Sequence, residues 1–275
     1  MADKQQDTSR TSVKRHGLAT RLWHWTNAVT LLVLLMSGFT IFNAHPRLYW
    51  GDTGNNFEPA WLAIGTSETR SYVRINRTKI PSTGVIGHWR DDAGRVQNWA
   101  FPDWATIPSR YDLAAGRQWH FFFAWILSVS LLLFMVFSLF NKHIANDLHM
   151  RREDWSPRNI AATIWHHMSL RFPKGREALR YNSLQKLSYI GVIFIALPLM
   201  IATGLAMSPQ MNAAIPWLPE LFGGRQSARS WHFIIAFALV AFFLVHMLMV
   251  LLSGPIQQLR GITSGRVSIP LESAE

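Results

Sequence analysis

The sequence predicts an all-α membrane protein built on a bundle of four transmembrane helices, and three observations predict it. Of its 275 residues 49% are hydrophobic and only 16% charged, and the charged residues are gathered in blocks between long uncharged windows. Those windows run from Trp25 to Ala44, Phe121 to Asn141, Ser188 to Pro216 and Phe233 to Leu259. Each reaches the roughly 20 residues that cross a bilayer core. The third observation is a four-residue word that occurs three times, each time at the entrance of a window: Arg21-Leu22-Trp23-His24, Arg117-Gln118-Trp119-His120 and Arg229-Ser230-Trp231-His232.

Taken in order, residues 1–16 are polar, carry both signs of charge and lack apolar periodicity, which reads as a disordered cytoplasmic tail. Residues 17–256 form the four-helix domain. Helix 1 starts near Gly17 and runs to about Asn43. Its apolar run is too long for the core of a cleaved signal peptide, so the helix is expected to be retained. Residues 44–116 form a large insertion rich in Trp, Gly and Pro. Alternating stretches such as Tyr72-Val73-Arg74-Ile75 and Val96-Gln97-Asn98-Trp99 predict small β-hairpins there, with a turn at Asp92-Ala93-Gly94. Its two readings are a cap over the adjacent site and a docking platform for a soluble partner. After helix 2, Ser156-Pro157 reads as an N-cap and first helical position, and Ile160, Ile164, Trp165 and Met168 form the stripe of a short interfacial helix that includes His166 and His167. Helix 3 contains Pro198, which should kink it. Residues 257–275 read as a second cytoplasmic tail.

Charge sorts the loops. The N-terminus to Trp23, the Asn141–Leu187 loop and the C-terminus from Ser253 carry sixteen Lys and Arg against eight Asp and Glu, whereas the other side carries eleven against eight, mostly in the long insertion. Both termini are therefore expected inside, with the insertion outside. The same topology accounts for the net charge of +11 without a nucleic-acid partner. The absence of cysteine excludes covalent c-type haem, iron–sulfur ligation and disulfides within this chain.

Orientation assigns a depth to each histidine. His24 opens a helix running outward and lies at the inner level; His120 and His232 open helices running inward and lie at the outer level. His246 follows His232 by 14 residues, nearly four turns or about 21 Å along one helix face, and so returns to the inner level. The depth-matched pairs are His24 with His246 and His120 with His232. No charged residue stands within a dozen positions of His246, so an unpaired ring there would be costly. Two non-covalent b haems, each held by two imidazoles, satisfy all four. Filled axial positions favour electron transfer over chemistry at the iron. Gly38, Gly191 and Gly204 stand near the two depths, where glycine admits a flat macrocycle or close helix packing. Arg21, Arg117 and Arg229 are candidates for the haem propionates or for headgroup anchoring.

On these residues the chain resembles the di-haem cytochrome b subunits that anchor formate dehydrogenases, nickel–iron hydrogenases and thiosulfate-reductase-type molybdenum enzymes. The likeness covers the four helices, the 14-residue histidine spacing being its most specific mark. It implies a bacterial inner-membrane protein passing electrons between a periplasmic oxidoreductase subunit, molybdopterin enzyme or hydrogenase, and membrane quinone, either menaquinone or ubiquinone. Electrons from such a partner would reach the His120/His232 haem first and the His24/His246 haem second. Tyr181-Asn182-Ser183-Leu184-Gln185-Lys186 is similar to the family's Tyr-Asn-x-Gly-Gln-Lys segment, with Leu184 in place of the glycine. The likeness makes Asn182, Gln185 and Lys186 quinone-site candidates. The alternative function is a self-sufficient quinol-dependent oxidoreductase of a small diffusible acceptor, with the insertion as its lid.

Overall fold

The computed structural model describes residues 10–67, 69–140, 156, 158, 161, 165 and 183–270. Among them, four helices are long and apolar enough to cross a membrane: α1 (Leu18–Asn43), α2 (Leu113–Phe140), a third span over Leu184–Ala206, and the last over Arg225–Leu252. Their outward faces stay apolar and bare, Phe140 at 82%, Trp125 at 71% and Leu244 at 61% exposure. Lipid tails solvate such faces, and helices meet every backbone hydrogen bond internally. This is a multi-pass membrane protein.

The third span is α3 (Ser183–Ile190), a π-helical stretch (Gly191–Ala196) and α4 (Leu197–Ala206). Pro198 lies just past the π stretch. Proline lacks a backbone N–H and its ring crowds the carbonyl four residues earlier, so a widened turn immediately before it carries the irregularity. Two short helices, α5 (Pro209–Ala214) and α6 (Trp217–Glu220), lead into α7 (Arg225–Leu252), which is followed by α8 (Pro255–Ser264).

The chain divides into two compact units. The first takes its described residues from Met1–Thr26, Leu131–Ile195 and Val240–Glu275. Here β1 (Arg10–Lys14) pairs antiparallel with β8 (Arg266–Pro270), Val13 facing Val267 and Thr11 facing Ile269. This corrects the expectation of disorder for Arg10–Lys14. Each strand is too short and too polar to read as one alone. The β-branched Val13–Val267 pair contributes cross-strand stabilisation, and the two strands lie some 250 positions apart in sequence. The expected interfacial helix with His166 and His167 falls mostly outside the described residues.

The second unit comprises Asn27–Ser130 and Ala196–Leu239. Its insertion folds as the expected hairpins: a four-stranded antiparallel meander of β2 (Arg47–Leu48), β3 (Leu62–Thr66), β4 (Ser71–Ile75) and β5 (Thr78–Pro81), then a β6 (Trp89–Arg90)/β7 (Val96–Gln97) hairpin. Gly94, at φ 75, closes the latter through a 2.8 Å bond from its N–H to the Asp91 carbonyl. Phe42, Leu48, Leu62, Ile64, Ala100 and Phe101 form the core beneath. Buried Asn43 clamps the Phe101 backbone at both N–H and C=O, 2.8 and 3.1 Å. Satisfying two otherwise orphaned groups in an apolar core ties the insertion to the end of α1.

A latch joins the insertion to the start of α7. The Gly51 carbonyl accepts from the Gln226 and Ser227 N–H groups at 2.9 and 3.1 Å, and the Asp52 carboxylate from the Arg225 N–H at 3.3 Å. The first N–H groups of a helix have no partner within it. Residues 51 and 52 cap them from the far side of the sequence.

Candidate haem sites

In the second unit the rings of His120 (α2) and His232 (α7) face one another, centroids 6.3 Å apart and planes inclined by 59°. Each ring is held by a hydroxyl from a neighbouring helix: Ser37 Oγ (α1) lies 3.1 Å from His120 Nδ1, and Thr203 Oγ1 (α4) 2.9 Å from His232 Nδ1. Each hydroxyl donates its own proton to the carbonyl four residues back, Val33 at 2.6 Å and Leu199 at 2.7 Å. Its oxygen is then left to accept, so Nδ1 carries the proton and Nε2 the free lone pair. Gly38 and Gly204 follow the two hydroxyl residues. A Cβ at either would stand 3.5 Å from the Cε1 of His120 or His232. Neither Ser37 nor Thr203 was singled out from the sequence; the legible signal was a hydroxyl residue directly before Gly38 and Gly204.

In the first unit His24 (α1) and His246 (α7) face one another at 6.5 Å between centroids and 52° between planes. Phe242 stacks on His246 one turn earlier, and Trp23 stacks on Phe134 at 4.1 Å. The His24 Nδ1 is buried with no hydrogen-bond partner among the described residues. Gly191 opens the π stretch, where an added Cβ would meet nothing within 4 Å. Gln185 and Lys186, in the same unit, are half-buried on α3, and Asn182 lies outside the described residues.

The three copies of the repeated word share a histidine geometry but not an arginine geometry. Arg21 donates to the Thr263 carbonyl at the end of α8, where a cation complements the helix dipole. Exposed Arg117 lies over the Phe121 ring of its own helix at 5.6 Å. Arg229 is half-buried, donates to the His45 carbonyl at 2.6 Å and stands over Phe42. Burial and then the Arg229 and Arg47 charges hold the His45 imidazole below its ordinary pKa. His45 thus stays neutral beside Arg229 at pH 7, with Nε2 3.1 Å from the Tyr49 hydroxyl. In the third word Ser230 donates to the Tyr49 carbonyl at 2.5 Å and accepts from Trp61 Nε1 at 2.9 Å, and Trp231 packs edge-on to Trp50.

Residues 15–265 match the family model described as prokaryotic cytochrome b561. The chain belongs to that family. A relative of this cytochrome in Azospira oryzae, named as a protein-methionine-sulfoxide reductase subunit, YedZ1, is 26% identical over 232 residues, covering 84% of this chain and 87% of the relative. No solved structure matches the present chain.

Membership of the cytochrome b561 family implies b-type haem, and the donors present fit one. Two metal–imidazole bonds of about 2 Å, each extended by about 1 Å from nitrogen to ring centre, put two axial rings about 6 Å apart. Both observed pairs have that spacing. Among the described residues no three His, Cys, Asp or Glu side chains converge on a metal position. A facing pair of imidazoles therefore suits a metal whose remaining donors come from a macrocycle.

Proposed function

We propose that this cytochrome is a di-haem electron-transfer subunit that carries electrons across a bacterial inner membrane between an extracytoplasmic oxidoreductase and the quinone pool. The observation that carries the reading is the two facing imidazole pairs, 6.3 and 6.5 Å between centroids, on helices of spanning length. His120 with His232 and His24 with His246 would hold the haems, which supply one-electron redox chemistry when bound. With two imidazoles given to each, the haems would supply electron transfer rather than substrate chemistry at the iron. The excess of Lys and Arg at the termini and in the Asn141–Leu187 loop supports an N-in, C-in orientation with the insertion outside. Arg229, with one of its five N–H donors on His45, retains donors for a propionate. A relative named as a reductase subunit favours outward flow: quinol oxidised near the inner face, the His24/His246 haem reduced first, the His120/His232 haem passing electrons to a partner outside. The partner is then an oxidoreductase of the molybdopterin or a comparable class.

Acid–acetone should extract all haem, because no cysteine is present to bind it covalently. Haem quantitation on the purified chain should give two per polypeptide, and one per polypeptide would overturn the di-haem reading. Direction is read by rapid mixing: with the partner present, quinol should reduce both haems and the partner's substrate reoxidise them. Reduction only from the partner side would reverse the route.

Gln185 and Lys186, half-buried on the first turns of α3, and Asn182, three positions before Gln185 in sequence, are assigned to the quinone head group, which offers two carbonyl oxygens to such donors. Replacing all three should slow haem reduction by quinol more than about tenfold, about 1.4 kcal/mol, while dithionite still reduces both haems. An unchanged rate would place the quinone elsewhere.

A further inference from the structure

Resting on the assignment of His120 and His232 as axial ligands, we infer that Ser37 and Thr203 are a matched pair of positioning residues. Each buried hydroxyl holds one ring with its Nδ1–H bound and its Nε2 turned to the metal, and strengthens that nitrogen as a donor to ferric iron. Serine and threonine inside membrane helices ordinarily bond back to a carbonyl three or four residues earlier, and that alone satisfies them. Here both hydroxyls do so and make a further contact, to a ring nitrogen on another helix, at 3.1 and 2.9 Å. The two arrangements repeat in detail on unrelated stretches of sequence. Both hydroxyls are fully buried, both precede a glycine, and both glycines have the ring Cε1 3.5 Å from where a Cβ would stand.

The carbonyl three residues back, Leu34 or Met200, lies 3.2 Å from the hydroxyl and faces the same ring N–H. A carbonyl only accepts, which again requires the proton on Nδ1. A hydroxyl already donating to a carbonyl is polarised and accepts more strongly. An acceptor on the outer nitrogen pushes electron density toward the metal-binding nitrogen, favours Fe(III) and lowers the reduction potential. Ser37 and Thr203 contact only the His120 and His232 rings, and the buried His24 Nδ1 has no such partner among the described residues, so replacing either hydroxyl addresses one ring pair.

The test uses the full-length, haem-loaded protein and reads both haem potentials by spectroelectrochemical titration, with low-spin EPR reporting the ring orientations. Thr203→Val keeps the side-chain shape and removes the hydroxyl; Thr203→Ser keeps the hydroxyl and removes the methyl; Ser37→Ala removes the second hydroxyl. Thr203→Val and Ser37→Ala should each raise one of the two potentials and shift that haem's EPR signal, leaving the other haem unmoved, and the double variant should raise it further. Thr203→Ser should match the parent. Loss of that haem in Thr203→Val but not in Thr203→Ser also supports the assignment, since only the hydroxyl differs in kind. If the parent holds two haems and neither potential moves, or if Thr203→Ser behaves as Thr203→Val, Ser37 and Thr203 only pack. A parent with a single haem would instead remove the ligand assignment on which this inference stands.

Discussion

His232→Ala and His246→Ala should each halve the haem content, and they should remove different haems. The two residues lie on one continuous helix, α7, yet their rings face different partners, His120 and His24. Removing one imidazole leaves its partner as the sole axial donor of an otherwise non-covalent haem, and alanine cannot replace the nitrogen. The remaining pair keeps both its donors and should retain a low-spin spectrum. With outward flow, quinol should still reduce the surviving haem in His232→Ala, but electrons should not reach the oxidoreductase outside. In His246→Ala quinol oxidation itself should stop, while the outer haem stays reducible from the partner's side. Haem quantitation and difference spectra check the first half, stopped-flow with quinol the second. If both variants lost the same haem, or if one retained two, the pairing by facing rings would be wrong. If His246→Ala still oxidised quinol at the parental rate, the quinone would have to bind beside the His120/His232 haem.

Gly224→Ala should lower the stability of the second unit by about 3 kcal/mol, a large fraction of what most folds possess. Gly224 has φ +105, a conformation that costs an L-residue about 1–3 kcal/mol. A Cβ there would also stand 2.5 Å from Asp52 Oδ1 and 2.6 Å from the Gly51 carbonyl. Those are the two groups that cap the N–H groups of α7, so the methyl would displace the latch as well, at about 1 kcal/mol for a lost cap. Gly223 is the control. At φ +78 it carries comparable backbone strain, but its nearest neighbour would be Ser227 Oγ at 3.6 Å. Gly223→Ala should therefore cost only the strain. Thermal unfolding of the haem-loaded protein in detergent, followed at the haem band, should show Gly224→Ala well below Gly223→Ala. Equal shifts would mean that the latch contributes little and the backbone strain everything.

What could be read from the sequence are features that depend on one residue type or one stretch of chain. A bilayer core demands about 20 apolar residues per crossing, so the spans were visible as uncharged windows, and α1 ends at Asn43, one residue before its window closes at Ala44. Fourteen residues of helix is a fixed distance, so depth alone pairs His24 with His246 and His120 with His232, and those are the rings that face one another. The turn at Asp92-Ala93-Gly94 was legible because glycine reaches positive φ without strain.

Rotation about a helix axis and pairing across long loops were not legible, because packing decides them. The arginines of the repeated word read as equivalent, yet Arg21 is drawn to the Thr263 carbonyl of α8, Arg117 stays exposed and Arg229 is held under the insertion. Arg10–Lys14 and Arg266–Pro270 each look like tail until the other is alongside. Ser37 and Thr203 look like ordinary small residues of membrane helices until α2 and α7 turn a ring nitrogen toward each. The sequence by itself determined the four spans and the histidines they carry. Tertiary structure alone decided which hydroxyl, carbonyl or ring stands beside each histidine, since hydrogen bonds of about 3 Å depend on lateral neighbours that no local period in the chain encodes.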